Sequence, residues 1–199
     1  MMTDFPLATR VRLAVLAAGL ALLPALAAAQ TAEPSSTSAT YGAWTVTCAT
    51  KTAEAGASAD KICQMTISLS LKGSDGQVNP LIEVAIGQPP GDAGPRIVVQ
   101  VPMDVALREG LAISVDAPGA DSTQTPRPQT DLATATYFAC VPLGCVADAA
   151  LTAETIAALK AATATNVTFT ALAGAKKVTV PVPMTGFADA WAALGLPAP

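Results

Sequence analysis

From position 41 onward, apolar and polar side chains alternate residue by residue through most of the chain, the period of a half-buried β-strand. Trp44, Val46 and Cys48 share one face while Thr45 and Thr47 take the other. The next run is cleaner, with Cys63, Met65, Ile67, Leu69 and Leu71 opposed to Gln64, Thr66, Ser68 and Ser70. The same rhythm returns at Ile82, Val84 and Ile86, at Ile97, Val99 and Val101, and at Leu111, Ile113 and Val115. Glycines and prolines in segments 73–76 and 88–95 interrupt the ladder and predict turns. Later strands are predicted near 136–140, 167–172 and 177–182, with Pro181 and Pro183 placing the last at a sheet edge or at its own end. Segment 118–131 is polar and proline-bearing and is expected to be a long loop.

Two stretches depart from period two. Thr152 is placed to cap a short helix that turns Ile156 and Leu159 inward. Phe187, Ala190, Trp191 and Leu194 fall at offsets of three, four and seven, a helical stripe stopped by Gly195 and Pro197. A stripe of this kind is core packing far more often than a cofactor site. Many short strands with regular turns and two small helices predict a mainly β fold, an immunoglobulin-like β-sandwich.

The first 29 residues do not belong to that domain. Arg10 and Arg12 precede an apolar run over 13–26, followed by Ala27, Ala28 and Ala29 before Gln30. This is the layout of a secretory signal peptide cut after Ala29. The run is shorter than the roughly 20 residues a spanning helix needs, and Pro24 interrupts it, so the mature chain is expected to hold no integral membrane segment. Val11 separates the two arginines, which favours the general secretion route over the twin-arginine one. Residues 30–40 are small and polar and read as a flexible tether, leaving 41–199 as one domain.

Export changes the charge and the redox setting. Asp4, Arg10 and Arg12 leave with the leader, so nine of eleven basic and fourteen of fifteen acidic side chains stay, a net charge of −5. That excess, with no Lys/Arg cluster, argues against nucleic acid and against anionic membranes as partners. The four cysteines fall into two local sets, Cys48 with Cys63 and Cys140 with Cys145. Four cysteines allow three pairings. An oxidising compartment and the even count favour the two local disulfides. A four-thiolate zinc site fits only the second set, and redox motifs use a two-residue spacer that neither set has.

Catalytic chemistry is scarce. The chain has no histidine, which removes the commonest general base, the commonest partner of a nucleophilic Ser or Cys, and the commonest metal ligand. Asp104, Glu109 and Asp116 are the carboxylates that could pair for acid–base work in a hydrolase. The plainer reading is a solvated turn around Arg108, and Asp75 and Asp121 read as turn formers. No phosphate-cradling glycine loop or calcium loop is present, and no cofactor is expected. Asn166, Val167 and Thr168 match a glycosylation triplet, a pattern frequent by chance. The low charge content, 13%, predicts a rather apolar surface suited to a partner or a lipid-like ligand.

Several segments taken together resemble the invasion-associated locus B family of exported Gram-negative proteins. They are Tyr41 to Cys48 (YGAWTVTC), the pair Cys63 and Gln64, Val101 and Pro102 leading into Leu107, Arg108, Glu109, Gly110 and Leu111, then Val115 and Asp116. Cys140 to Cys145 (CVPLGC), the closing Val180, Pro181 and Val182, and Gly186, Phe187 and Ala190 complete the set. The resemblance implies a β-sandwich with two local disulfides, located in the periplasm or at the cell surface. One branch of the family is associated with invasion of host cells, and most members have no assigned activity. The leading expectation is therefore a non-enzymatic protein-interaction module whose partner is an envelope or host-surface protein, with Met103, Leu107, Arg108 and Glu109 as its binding residues. A periplasmic carrier of a small apolar ligand and a carboxylate-dependent hydrolase are the alternatives.

Overall fold

The computed structural model describes residues 36–50, 61–117 and 127–196. The expected leader, tether positions 30–35 and positions 118–126 of the expected loop lie outside the described residues.

Among the described residues ten strands carry the fold: β1 (Ser36–Tyr41), β2 (Trp44–Thr50), β3 (Lys61–Lys72), β4 (Val78–Gly87), β5 (Arg96–Val101), β6 (Leu111–Asp116), β7 (Gln129–Val141), β8 (Gly144–Ala150), β9 (Ala164–Ala171) and β10 (Lys176–Pro183). Helix α1 (Ala153–Ala161) joins β8 to β9, and α2 (Phe187–Ala193) follows β10. All strand pairs are antiparallel, in the order β1-β2-β3-β4-β5-β8-β7-β6-β9-β10. The mainly β architecture, the two helices and the two disulfides are as the sequence predicts.

The two layers are one continuous sheet. Strand β7 is 13 residues long; its first half pairs with β6 and its second half with β8. The sheet folds over along this shared strand, so Trp44, Val84, Ile86 and Ile97 from one side meet Val167, Val182, Leu159 and Phe187 from the other around a common core cavity. The alternation explains the packing: β5 runs intermediate, buried, intermediate, buried along its length, and Ile97, Val99 and Val101 are at most 2% exposed.

The caps act as read. The Thr152 hydroxyl accepts from the Thr155 amide at 3.2 Å, occupying one of the donors a helix start leaves free. Helix α2 docks through the backbone of the segment before it: the Ala43 amide donates to the Thr185 carbonyl at 3.0 Å. A Cβ on Gly42 would stand 2.5 Å from that same oxygen, and one on Gly186 would fall on the Tyr41 carbonyl. Both glycines also have positive φ, +58° and +81°, so the close crossing depends on residues without a side chain.

Three expectations need correction. Residues 36–40 of the expected tether form most of β1, in register with β2 from Ser36↔Ala49 to Tyr41↔Trp44. An exposed edge strand needs no apolar face, because backbone bonds to β2 hold it, and so its polar sequence concealed it. Val115 does not continue the buried face of β6. Ser114 is buried in its place, 1% exposed, its hydroxyl donating to Gln129 Oε1 at 2.8 Å where β7 inserts the extra residue Leu132 opposite β6. The expected loop 118–131 is shorter than read, since β7 begins at Gln129.

Candidate binding surface

Each cysteine pair sits directly opposite across neighbouring strands, Cys48 and Cys63 on β2 and β3, Cys140 and Cys145 on β7 and β8. Both pairs are bonded disulfides, which fits an oxidising location.

The strand registers define two ends of the molecule. At one end lie both helices and the β4–β5 loop. At the other, the strap 102–110 carries the chain from β5 over to β6 and forms a 3-10 turn at Leu107–Glu109. This strap is fixed to the β9–β10 turn: the Leu172 amide donates to the Asp104 carbonyl at 2.8 Å, the Ala106 amide donates to the Thr170 carbonyl at 2.8 Å, and Val105 bridges Ala171. On its other side stands the disulfide-closed β7–β8 turn. Val101 pairs with Cys145, and the Gln100 side-chain amide donates to the Leu143 carbonyl at 3.2 Å. The β3–β4 hairpin extends past the same end.

The large exposed apolar side chains gather here. Leu143 is 78% exposed, Leu172 61%, Met103 50% and Leu107 48%. Val141 lies on the same turn as Leu143, Phe138 a few residues back along β7, and Leu71 and Val78 on the protruding hairpin. The structure thus places Met103, Leu107, Arg108 and Glu109 on one strap. It adds Leu143 and Leu172, which sequence reading missed. Their signal was an apolar residue inside a tight turn, Pro142-Leu143-Gly144 and Leu172-Ala173-Gly174.

Glu109 and Asp116 are not brought together. Glu109 accepts from the Thr170 hydroxyl at 2.5 Å. Asp116 accepts from Asn166 Nδ2 at 3.0 Å and pairs with Arg127 at 2.8 Å. Thr170 and Asn166 lie four residues apart on β9, roughly 13 Å at strand rise, which exceeds the separations that glycosidic acid–base pairs use. Asp104 sits at positive φ, +64°, in the strap. Asp116 closes the base of the β6–β7 connection, alongside the Ala117 amide donating to Pro128. The Arg127 hydrogen bond first, and the Asn166 one second, hold its carboxyl below the usual carboxylate value. The glycosylation triplet is unusable as it stands, because Asn166 is 6% exposed and committed to Asp116.

The interior leaves little space. The cavity between the layers measures about 10 Å³, about the room of one water, against several hundred Å³ for a ligand chamber. Thr165 Oγ1, which borders it, has no hydrogen-bond partner among the described residues, and neither has the buried Tyr137 hydroxyl. Burial pushes the Tyr137 phenol up to about 12. The larger hollows are external. Open clefts of about 230 and 330 Å³ adjoin Ile62, Cys63, Gln88, Pro89 and Pro90 at the helix end. Among the described residues, no cluster of His, Cys, Asp or Glu is placed to hold a metal, and no helix is long and apolar enough to cross a membrane.

These features define a class: a disulfide-bridged, antiparallel β domain whose large exposed apolar side chains are concentrated on the turns of one end and whose Glu109 and Asp116 make structural contacts. The family model described as "Invasion associated locus B (IalB) protein" matches residues 44–195, and the chain belongs to that family. Among solved structures, the crystal structure of invasion associated protein B from Bartonella henselae is similar in fold, with a TM-score of 0.54. The two are 18% identical, over 79% of this chain and 94% of that one. No curated protein matches the sequence.

Proposed function

We propose that this chain is an exported, non-enzymatic binding protein of the cell envelope and that it works through the turn end. One observation carries this reading. Leu143, Leu172, Met103 and Leu107 stand out into solvent on three turns that hydrogen bonds hold together. Isolated exposed leucines are ordinary, whereas a group confined to one end marks a contact surface. Three supports accompany it: the separation of Glu109 from Asp116, the two disulfides, and the leader expected over residues 1–29 with its cut after Ala29. A carrier with an internal ligand has no such support, given a core cavity of about 10 Å³.

The test is cross-linking in intact cells with the chain tagged at its C-terminus, comparing the parent with Leu143→Ser/Leu172→Ser. The expected result is a set of cross-linked envelope components that the double variant loses while keeping its melting temperature. Retention of the same set by the variant would remove the turn end as the contact surface. The mass of the exported form should begin at Gln30, and a chain retaining residues 1–29 would contradict export with cleavage.

A further inference from the structure

Among the described residues the sheet ends at β1 on one side and at β10 on the other. Each outer strand carries a row of backbone N–H and C=O groups that no further strand of the sheet uses, a template for pairing with another chain. The two edges are built differently. Strand β10 has Lys176 and Lys177 at its start and Pro181 and Pro183 at its end, and charge and proline are what keep an edge from pairing. Strand β1 has neither. Its sequence STSATY holds no charge, no proline and no glycine, and at six residues it has an ordinary strand length rather than that of a stub. Residues 36–40 are all exposed.

The register of β1 shows which of its groups are free. Gly42 and Ala43 turn the chain between the closing pair Tyr41↔Trp44, and the ends of such a turn bond to each other. Bonded and non-bonded pairs alternate along an antiparallel ladder. Tyr41, Ala39 and Thr37 therefore use their backbone groups on β2, while Thr40, Ser38 and Ser36 turn theirs away from it. This outward row is self-complementary. With Ser38 on a two-fold axis, Ser36 of one copy stands opposite Thr40 of the other, and Ser38 opposite Ser38; the three pairs exchange roughly six backbone hydrogen bonds. Hydroxyl side chains facing each other favour an antiparallel pair and like charges oppose it, and here there is no charge to oppose. Any extended segment could use the backbone row. A contact between identical copies must fit one patch to itself, which this uncharged strand does in a chain of net negative charge.

We propose that two copies of this chain pair antiparallel through β1, with Ser38 on the two-fold axis, so that their sheets run on as one. The guarded edge at β10 then closes the joined sheet on both sides. This contact is separate from the turn end, because none of Met103, Leu107, Leu143 and Leu172 lies on β1. Each copy keeps its own set of exposed apolar side chains, and the pair presents two such surfaces at once.

The experiment is sedimentation equilibrium of the exported chain, purified with both disulfides intact, over a dilution series reaching about 1 mM. The parent's mass should rise toward twice the single-chain value with concentration. Ser38→Pro removes a donor from the open side of β1 only, as Pro181 and Pro183 do on β10, and Ser38→Lys sets two ammonium groups against each other at the axis. Each should weaken association at least about tenfold. Both should melt with the parent at the dilution where the parent is a single chain, which separates loss of the contact from misfolding. Leu143→Ser/Leu172→Ser should associate as the parent does. A single-chain mass at every concentration overturns the proposal, as does a dimer that both Ser38 variants leave intact. A dimer that depends on Leu143 and Leu172 instead overturns it too, by moving the contact to the turn end. Failure of the turn end as a binding surface leaves this result unchanged, so the two readings fall separately.

Discussion

Trp44 joins the first long strand to the C-terminal helix, and removing it should show how far the two ends of the chain depend on each other. The side chain is 1% exposed. Its ring meets Phe187 edge-on at 5.2 Å between centroids, and its Nε1 donates to the Pro183 carbonyl at 3.1 Å. Trp44→Ala therefore opens a large void between β2 and α2, at about 3–5 kcal/mol for a buried tryptophan. It also leaves the Pro183 carbonyl without its donor, a further loss of about 1 kcal/mol. For a domain of ordinary stability, about 5–15 kcal/mol, that is a large part of the whole. Trp44→Phe keeps most of the apolar volume and deletes only the donor, so about 1–2 kcal/mol is expected. A double-mutant cycle with Phe187→Leu should return a coupling of about 0.5–1.5 kcal/mol for the ring pair. The assay is urea unfolding followed by far-ultraviolet circular dichroism with the disulfides intact, since Trp191 is the only other tryptophan and would bias a fluorescence signal. A loss below about 2 kcal/mol for Trp44→Ala, or no coupling to Phe187, would refute this account of how α2 is held.

Three further outcomes are expected. Replacing both cysteines of one bridge with alanine should cost about 3 kcal/mol for Cys48–Cys63 and about 2 for Cys140–Cys145, following sequence separations of 15 and 5; unchanged urea midpoints would contradict this. Gly186 and Gly76 share a φ of +81°, but a Cβ meets the Tyr41 carbonyl at the first and open space at the second. Gly186→Ala should thus destabilise by at least about 1–3 kcal/mol more than Gly76→Ala, and equal effects in thermal melts would deny the tight crossing. With pH, the lowered Asp116 carboxyl contributes stability that is present above its unfolded value near 3.8 and is lost as pH falls through its lower folded value. The raised Tyr137 phenol contributes stability that is full below pH 10 and lost as pH rises through about 12. Asp116→Asn should therefore be less stable than the parent at neutral pH and approach it in strong acid, while absorbance at 295 nm should report Tyr137 ionising late; a constant gap between the two proteins, or ionisation of Tyr137 near pH 10, would count against these environments.

The turn end and the disulfides work together. Cys140–Cys145 closes the β7–β8 turn, and that turn displays Leu143. A tip that docks must hold its shape while its apolar side chain faces water, and a covalent tie two residues from Leu143 supplies the constraint. The strap 102–110 has no disulfide and is held instead by the amides of Ala106 and Leu172. Removing the Cys140–Cys145 bridge should thus weaken any binding through Leu143 more than binding through Met103 or Leu107.

Much of the fold is legible along the chain because burial on a strand has period two and burial on a helix has period 3.6, whatever the neighbours. Trp44, Met65, Ile86, Val99 and Phe187 declare themselves in that way, and Thr152 and Gly195 mark helix limits through local bonding alone. The local pairing of the cysteines is favoured by export and the even count, and the registers Cys48↔Cys63 and Cys140↔Cys145 decide it. Strand β1 escaped because an edge strand is held by backbone groups, which the side-chain pattern does not encode. Ser114 escaped because its burial comes from the bulged neighbouring strand β7 and the Gln129 side chain, not from the alternation of its own strand. The joining of two layers through β7 depends on which partner each half of that strand meets, a long-range choice that no local pattern carries.

The binding surface divides in the same manner. The strap residues Met103, Leu107, Arg108 and Glu109 are neighbours in sequence and could be named from it. Leu143 and Leu172, some 30 residues apart, become parts of one surface only when the strands fold the β5–β6, β7–β8 and β9–β10 connections to the same end. The sequence by itself determined the mainly β class and the family resemblance, since period two and the motifs are written in local spacing. Tertiary structure alone decided the cysteine pairing, the gathering of the apolar tips at one end and the separation of Glu109 from Asp116, because distance between side chains in space is fixed by strand order and register.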